Sequence, residues 1–84
     1  MRIFREAGMT TAVRGVSQVW TIETDSKAEA LAVWYDVQSS TCCDFLHWND
    51  GAERNGVCFL IDRDDVGKMK KVAKETSKEF SQKK

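Results

Sequence analysis

The sequence predicts a small α+β domain, a two-layer sandwich with two helices on one face of a mainly antiparallel sheet. The expected order is βαββα, with an extra N-terminal strand left open. Short runs of strand-forming residues occupy 16–24, 42–46 and 57–61. Two other segments each carry one apolar stripe at helical spacing. Two helices with one apolar stripe each need a sheet to cover, and a two-layer sandwich provides it.

The size and composition indicate one globular domain over residues 1–84. With 42% apolar and 31% charged residues, the chain is too apolar to be disordered. It has no run of about 18 apolar residues, and its N-terminus lacks the apolar core and cleavage site of a signal peptide. Three cysteines, two of them adjacent, do not form a disulfide framework. We therefore expect a cytoplasmic protein with no membrane contact.

The first fifteen residues are the hardest to assign. The segment MRIF is compatible with a short strand, but Gly8 and Gly15 interrupt the stretch after it. Met9 opens a segment that reads like a second start, and whether it is the true start stays open. Residues 1–8 are therefore either part of an extra strand or a loose leader.

The first strand and helix are better defined. Residues 16–24 alternate so that Trp20 and Ile22 share one face of a strand. A helix over about 27–38 follows, with Asp25 or Ser26 as its N-cap. Glu29, three residues after Ser26, completes a capping-box pattern. The apolar face of this helix comprises Ala30, Val33, Trp34 and Val37, with Leu31 at its edge.

A β-hairpin and a second helix complete the domain. Two Gly-containing turn signals, at 50–51 and 55–56, predict a polar loop over roughly 49–55 and leave the hairpin register open. Asp64 or Asp65 is expected to cap the last helix, and residues 81–84 to fray. Its stripe comprises Val66, Met69, Val72 or Ala73, Thr76 and Phe80.

Three cysteines and the only histidine form the sharpest chemical candidate. The adjacent Cys42 and Cys43 point to opposite faces of a strand. We expect Cys43 and His47 to share a face but to lie roughly 13 Å apart, too far for one metal ion. There is no C-x-x-C motif. The interpretation is structural cysteines with no metal and no cofactor. A small enzyme centred on His47 and a cysteine such as Cys58 is the third hypothesis.

Two charged segments also have an ordinary explanation. Asp62, Asp64 and Asp65 suit a strand exit and a helix cap better than a calcium loop. Residues 65–84 carry seven lysines against three acids, a net of +4, whereas the whole chain is neutral. Nucleic-acid binding through this helix is the alternative function, although Glu75 and Glu79 interrupt the basic face. The residues it would use are Lys68, Lys70, Lys71, Lys74 and Lys78.

Trp48 is the leading candidate for a binding residue. It lies beside the predicted polar loop, and an aromatic side chain with polar neighbours is typical of a binding hot spot. The candidate partner-binding set is Trp48, Asn49, Asp50, Glu53 and Arg54. The expected function is therefore non-catalytic binding of a macromolecule, most readily a protein. An open sheet edge is a second way to bind a partner, and homodimerisation by edge pairing is a variant of it.

The stretch WTIETDSKAEALAVWYDV, residues 20–37 of the 84, also carries a family resemblance. It resembles the strand-to-helix segment, with its "EAL" and later tryptophan, of small phage inhibitors of host RNA polymerase. No site residue is implied by this resemblance. It implies a small inhibitor or accessory protein, of phage or mobile-element type, that acts by binding something larger.

Overall fold

The computed structural model describes residues 1–6, 17–51 and 54–82, and for residues 50, 51 and 54 the backbone alone. The element order ββαββα confirms the predicted fold class and supplies the extra N-terminal strand. The elements are β1 (Arg2–Arg5), β2 (Ser17–Thr24), α1 (Lys27–Ser40), β3 (Cys43–Gly51), β4 (Arg54–Asp62), a single 3-10 turn (Arg63–Asp65) and α2 (Val66–Gln82).

The four strands form one antiparallel sheet in the order β1-β2-β4-β3. The strands β2 and β4 are central, so β1 and β3 are its two edges. The alternative of a loose leader over 1–8 does not fit residues 2–5, which pair with β2 from Arg2 opposite Glu23 to Arg5 opposite Trp20. At the other end of the chain, Ser81 and Gln82 still belong to α2.

The core lies between one face of the sheet and the two helices. The side chains of Ile22, Val57 and Phe59 are fully buried on the sheet side. The helices meet them with the apolar stripes that their spacing predicts, comprising Ala30, Val33, Trp34 and Val37 on α1 and Met69 and Ala73 on α2. Both helices therefore cover the same face of the sheet, which confirms the two-layer arrangement.

Polar contacts fix the start of α1 and join it to α2. Ser26 Oγ accepts a hydrogen bond from the Glu29 amide at 3.1 Å, which confirms Ser26 as N-cap. The buried Glu29 carboxylate accepts a hydrogen bond from Ser77 Oγ at 2.6 Å. Asp36 likewise accepts one from Thr76 Oγ1 at 2.7 Å. Two side-chain hydrogen bonds thus link the helices over the sheet.

The expected cap of α2 was wrong. Asp62 Oδ1 accepts from the Asp64 amide at 2.9 Å and caps the 3-10 turn, which then continues into α2. Asp64 and Asp65 lie inside that turn. The chain leaves the sheet at Asp62, so the first free amides that a carboxylate reaches are those of the turn.

The predicted loop over 49–55 was also wrong at both of its ends. Asn49 pairs with Gly56, Asp50 with Asn55, and Gly51 with Arg54. Both Gly-containing turn signals therefore occupy paired strand positions, and only residues 52 and 53 separate the strands. The pairing shifts register between Phe45 and His47, where β3 carries an extra residue, Leu46.

Candidate partner-binding surface

The bulge in β3 decides which of its side chains face the helices. Phe45 lies opposite Phe59 and Trp48 lies opposite Val57, and both partners belong to the core. In a regular strand, residues three apart would point to opposite faces. Because Leu46 is the extra residue, Phe45 and Trp48 share the helix-facing side of the edge strand.

These two rings join a chain of aromatic contacts that runs from the core to the surface. The ring centroid of Trp34 lies 5.4 Å from that of Phe59 and 5.9 Å from that of Phe45. Phe45 in turn lies 5.3 Å from Trp48. These are tilted aromatic pairs within the favourable distance range. Phe59 and Trp34 are buried, whereas Phe45 is 44% exposed.

Helical geometry places two exposed residues of α1 on its Trp34 side, away from Glu29 and Asp36, which bond to α2. Leu31 is 47% exposed and lies one turn before Trp34, and Tyr35, one turn after Leu31, is 70% exposed. We call the set Leu31, Tyr35, Phe45 and Trp48 the aromatic patch. It borders the β3 edge of the sheet. The bulge residue Leu46, 40% exposed, lies at the same edge.

The predicted partner-binding residues are only partly brought together. Trp48 is half-buried against Phe45, and Asn49 is half-buried in the ladder opposite Gly56. Asp50 and Arg54 are strand positions by their backbone pairing. Glu53 lies outside the described residues. The structure thus places Trp48 in a cluster of aromatic residues that the polar-loop interpretation had missed.

Sequence reasoning had two weak signals for the missed residues. Leu31 already stood at the margin of the α1 stripe, and Tyr35 follows it at helical spacing. That Phe45 and Trp48 share a face depends on the bulge. No glycine, proline or asparagine marks that bulge in the segment from Cys43 to Trp48.

The predicted arrangement of the cysteines and histidine needs one correction. His47 does not share a face with Cys43: the bulge places it opposite Cys58, on the face away from the helices. Cys42 is exposed and Cys43 half-buried, whereas Cys58 is 1% exposed. Burial raises the pKa of the Cys43 and Cys58 thiols, against a smaller lowering by hydrogen bonds from Thr41 and Thr21 respectively. Both thiols are therefore protonated, and poor nucleophiles, at neutral pH.

The acidic side chains at the end of the sheet act in local structure. Asp62 caps the 3-10 turn, and Asp65 Oδ2 accepts from the Cys42 amide at 3.1 Å. Asp44 and Asp62 line a shallow depression of about 270 Å³ beside the start of β3. Within residues 1–6, 17–51 and 54–82, no three Cys, His, Asp or Glu side chains are placed to hold a metal ion.

The lysines of α2 do not form one uniform face. Lys70 is half-buried, and its Nζ lies 4.7 Å from the ring centroid of Trp20, a cation–π contact. The other four predicted lysines, Lys68, Lys71, Lys74 and Lys78, are exposed. At 100° per residue, Glu75 and Glu79 lie near Lys68 on the helix surface and away from the side of Lys70 and Lys74.

Comparison of the chain with protein-family models, with curated proteins and with solved structures finds no match. The resemblance of residues 20–37 to phage inhibitors of RNA polymerase therefore stays a prediction. No helix in the described part of the chain is both long and apolar enough to cross a bilayer.

Proposed function

We propose that this chain is a non-catalytic binding module that holds a protein partner against the aromatic patch. The observation that carries the proposal is the exposed ring of Phe45, packed between Trp34 and Trp48 on β3, an edge strand among the described residues. Clustered exposed apolar side chains on a small protein are typical of interaction sites. Aromatic residues dominate the binding energy at such sites.

The exposed ring of Phe45 packs directly on buried residues of the core. Trp34 contacts both Phe45 and the fully buried Phe59, so the exposed ring rests on the core of the domain. A ring held in this way loses little side-chain freedom when a partner covers it. This preorganisation favours the aromatic patch over a flexible polar loop as the binding surface.

The charges near the edge strand indicate the chemistry of the partner. Asp44 is exposed and adjoins Phe45 on β3, with its side chain toward the face away from the helices, and Asp62 and Asp64 lie at the same end of the sheet. No Lys or Arg occurs in β3. A complementary surface has apolar side chains at its centre and Lys or Arg at its rim.

Side chains, more than the strand edge itself, carry this binding. The bulge at Leu46 interrupts regular pairing of β3 with any further strand. A symmetric β3–β3 pairing centred on His47 would also set Asp44 of one copy against Asp50 of the other, with like charges opposed. A heterologous protein partner is therefore favoured over a homodimer.

Two further expectations belong to the same proposal. The buried, protonated Cys58 thiol opposite His47 favours a binding role over an enzyme centred on these two residues. The three free cysteines fit a reducing compartment such as the cytoplasm. An inhibitor or accessory factor of phage or mobile-element type is a role that such a module can fill.

Site-specific photo-crosslinking tests the proposal. A photoreactive phenylalanine at position 45 should capture one protein species in the native host, while the same group at Lys68, an exposed position on α2, should not. With the captured partner purified, Phe45→Ser should weaken binding by roughly 30-fold or more, since hot-spot residues contribute about 2 kcal/mol or more.

Lys68→Ser is the matched control for that affinity measurement, and circular dichroism checks that both variants remain folded. Equal capture from positions 45 and 68, or an unchanged Kd for folded Phe45→Ser, would contradict the proposal. Sedimentation of the isolated chain measures its oligomeric state. A dimer that dissociates in Phe45→Ser would show that the partner at this surface is a second copy of the chain.

A further inference from the structure

A second surface lies at the opposite edge of the sheet, where α2 passes beside β1. Met1 and Ile3 of the N-terminal segment and Lys70 and Lys74 of α2 line a groove of about 280 Å³. Its lining is apolar at the strand and basic at the helix. We call it the β1–α2 groove. It lies across the sheet from the aromatic patch, which borders β3.

The strand that borders this groove has outward-facing backbone groups. The Glu6 amide donates to the Val19 carbonyl at 2.9 Å, so Glu6 forms a hydrogen-bonded pair with β2. In an antiparallel ladder such pairs alternate with pairs that are not hydrogen-bonded. The N–H and C=O groups of Ile3 and Arg5 therefore point away from β2, to the outer edge of the sheet.

Positive charge from two elements converges on the groove. Arg5 lies opposite Trp20, a core residue, so it belongs to the helix-facing side of β1 and is exposed there. Lys70 lies over the Trp20 ring and Lys74 is one helical turn further. Lys78 continues the same line. Within the described residues, no ion pair joins these three lysines to a carboxylate.

We propose that the β1–α2 groove takes an extended acidic segment of a protein as a fifth strand beside β1. Added strands bind through backbone hydrogen bonds and are selected by alternate side chains. Residues of the incoming strand that lie opposite Ile3 and Arg5 would point toward α2. These side chains recur about every 6.6 Å, and lysines one turn apart recur about every 6 Å. Carboxylates at every second residue of the incoming strand would therefore have nearly the same spacing as the basic side chains of Arg5, Lys70 and Lys74.

A protein strand fits these observations better than a nucleic acid. Single-stranded nucleic acid is held by aromatic rings on which bases stack, together with basic groups. The ring that Lys70 contacts, Trp20, is buried beneath that lysine. The outward amides and carbonyls of Ile3 and Arg5 instead match the backbone of another strand.

The test uses a fluorescently labelled, acetylated eight-residue peptide with alternating Glu and Val. Anisotropy should show saturable binding, and NMR shifts should concentrate at Ile3, Arg5 and Lys74. N-methylation of the peptide at alternate residues distinguishes strand addition from general charge attraction. Methylation of the amides that face β1 should abolish binding, whereas methylation of the other amides should leave it intact.

Lys74→Glu and Lys68→Glu form a matched pair, because both make the same charge change at exposed positions of α2. We expect Lys74→Glu to weaken peptide binding on the order of tenfold, ~1.4 kcal/mol, and Lys68→Glu to change it less than about twofold. Equal losses in the two variants, no saturable binding, or equal effects of the two methylation patterns would overturn the proposal. So would tighter binding of a twelve-residue oligothymidylate to the same groove, which would assign it to nucleic acid.

Discussion

Two glycine-to-alanine substitutions, one expected to lower the free energy of unfolding and the other to raise it, together test how closely β2 and β4 pack. Gly56 is buried in β4 opposite Glu23, and a Cβ built on it would lie 2.7 Å from the Ile22 carbonyl oxygen. That atom is backbone in a central strand, so it cannot rotate away. Gly67, in the first turn of α2, has no atom of another described residue within 4 Å of its Cβ position, apart from its chain neighbours and the backbone of its own helix. Gly56→Ala should therefore destabilise the fold and Gly67→Ala should stabilise it.

The magnitudes follow from these contacts. A carbon–oxygen contact normally needs about 3.3 Å, so the Ile22 and Gly56 backbones must separate by roughly 0.6 Å, an overpacking that typically costs about 1–3 kcal/mol. At Gly67, alanine should add about 0.5–1 kcal/mol, because it restricts the unfolded chain and suits a helix. Both substitutions restrict the unfolded chain equally, so that gain cancels in their difference, which reports the overpacking cost in the folded state, roughly 1–3 kcal/mol.

Thermal unfolding followed by circular dichroism measures both effects. For a domain of this size, 1 kcal/mol corresponds to about 4–8 °C in Tm. Gly56→Ala should therefore melt at least about 4 °C below Gly67→Ala, and Gly67→Ala should raise Tm by roughly 2–8 °C. A Gly56→Ala protein as stable as Gly67→Ala would refute the β2–β4 register and, with it, the placement of Phe45 and Trp48 opposite the core.

Two further predictions concern the thiols and the helix–helix contact. Alkylation followed by mass spectrometry should label the exposed Cys42 well before the buried Cys58. Since burial raises the folded-state pKa of Cys58, its contribution to stability is present below the unfolded thiol pKa and is lost as pH rises through the folded value. Denaturant unfolding from pH 7 to 10 should show this fall, and Cys58→Ala should reduce it. A double-mutant cycle of Asp36→Ala and Thr76→Val should give a coupling of about 1–2 kcal/mol, whereas additive effects would mean that their 2.7 Å hydrogen bond contributes nothing.

The sequence-based prediction of the binding surface centred on one residue and missed its neighbours. The sequence favours Trp48 because it stands beside polar turn residues. In the structure its packing partner is Phe45, and the glycines that suggested a long loop are paired in the strands. A single extra residue, Leu46, exchanges the faces of everything after it in β3. It therefore moves His47 away from the face of Cys43 and brings Trp48 to the face of Phe45.

The β1–α2 groove shows a different limit. The lysines of α2 were visible as a charged stretch, but Arg5 lies 65 residues before Lys70 in the chain. The pairing of β1 with β2 places Arg5 opposite Trp20, and α2 places Lys70 over that ring. Charges from separate segments add up only after the sheet order is known.

The sequence by itself determined the fold class, the two helical stripes and the Ser26 cap, because these depend on periodicity and on hydrogen bonds within a few residues. Only the tertiary structure decided the order of the strands, the bulge in β3 and the pairing of Gly51 with Arg54. Those features depend on which register buries the most apolar surface between segments far apart in the chain. Both proposed binding surfaces lie at sheet edges that this order creates, so neither is visible in any single stretch of residues.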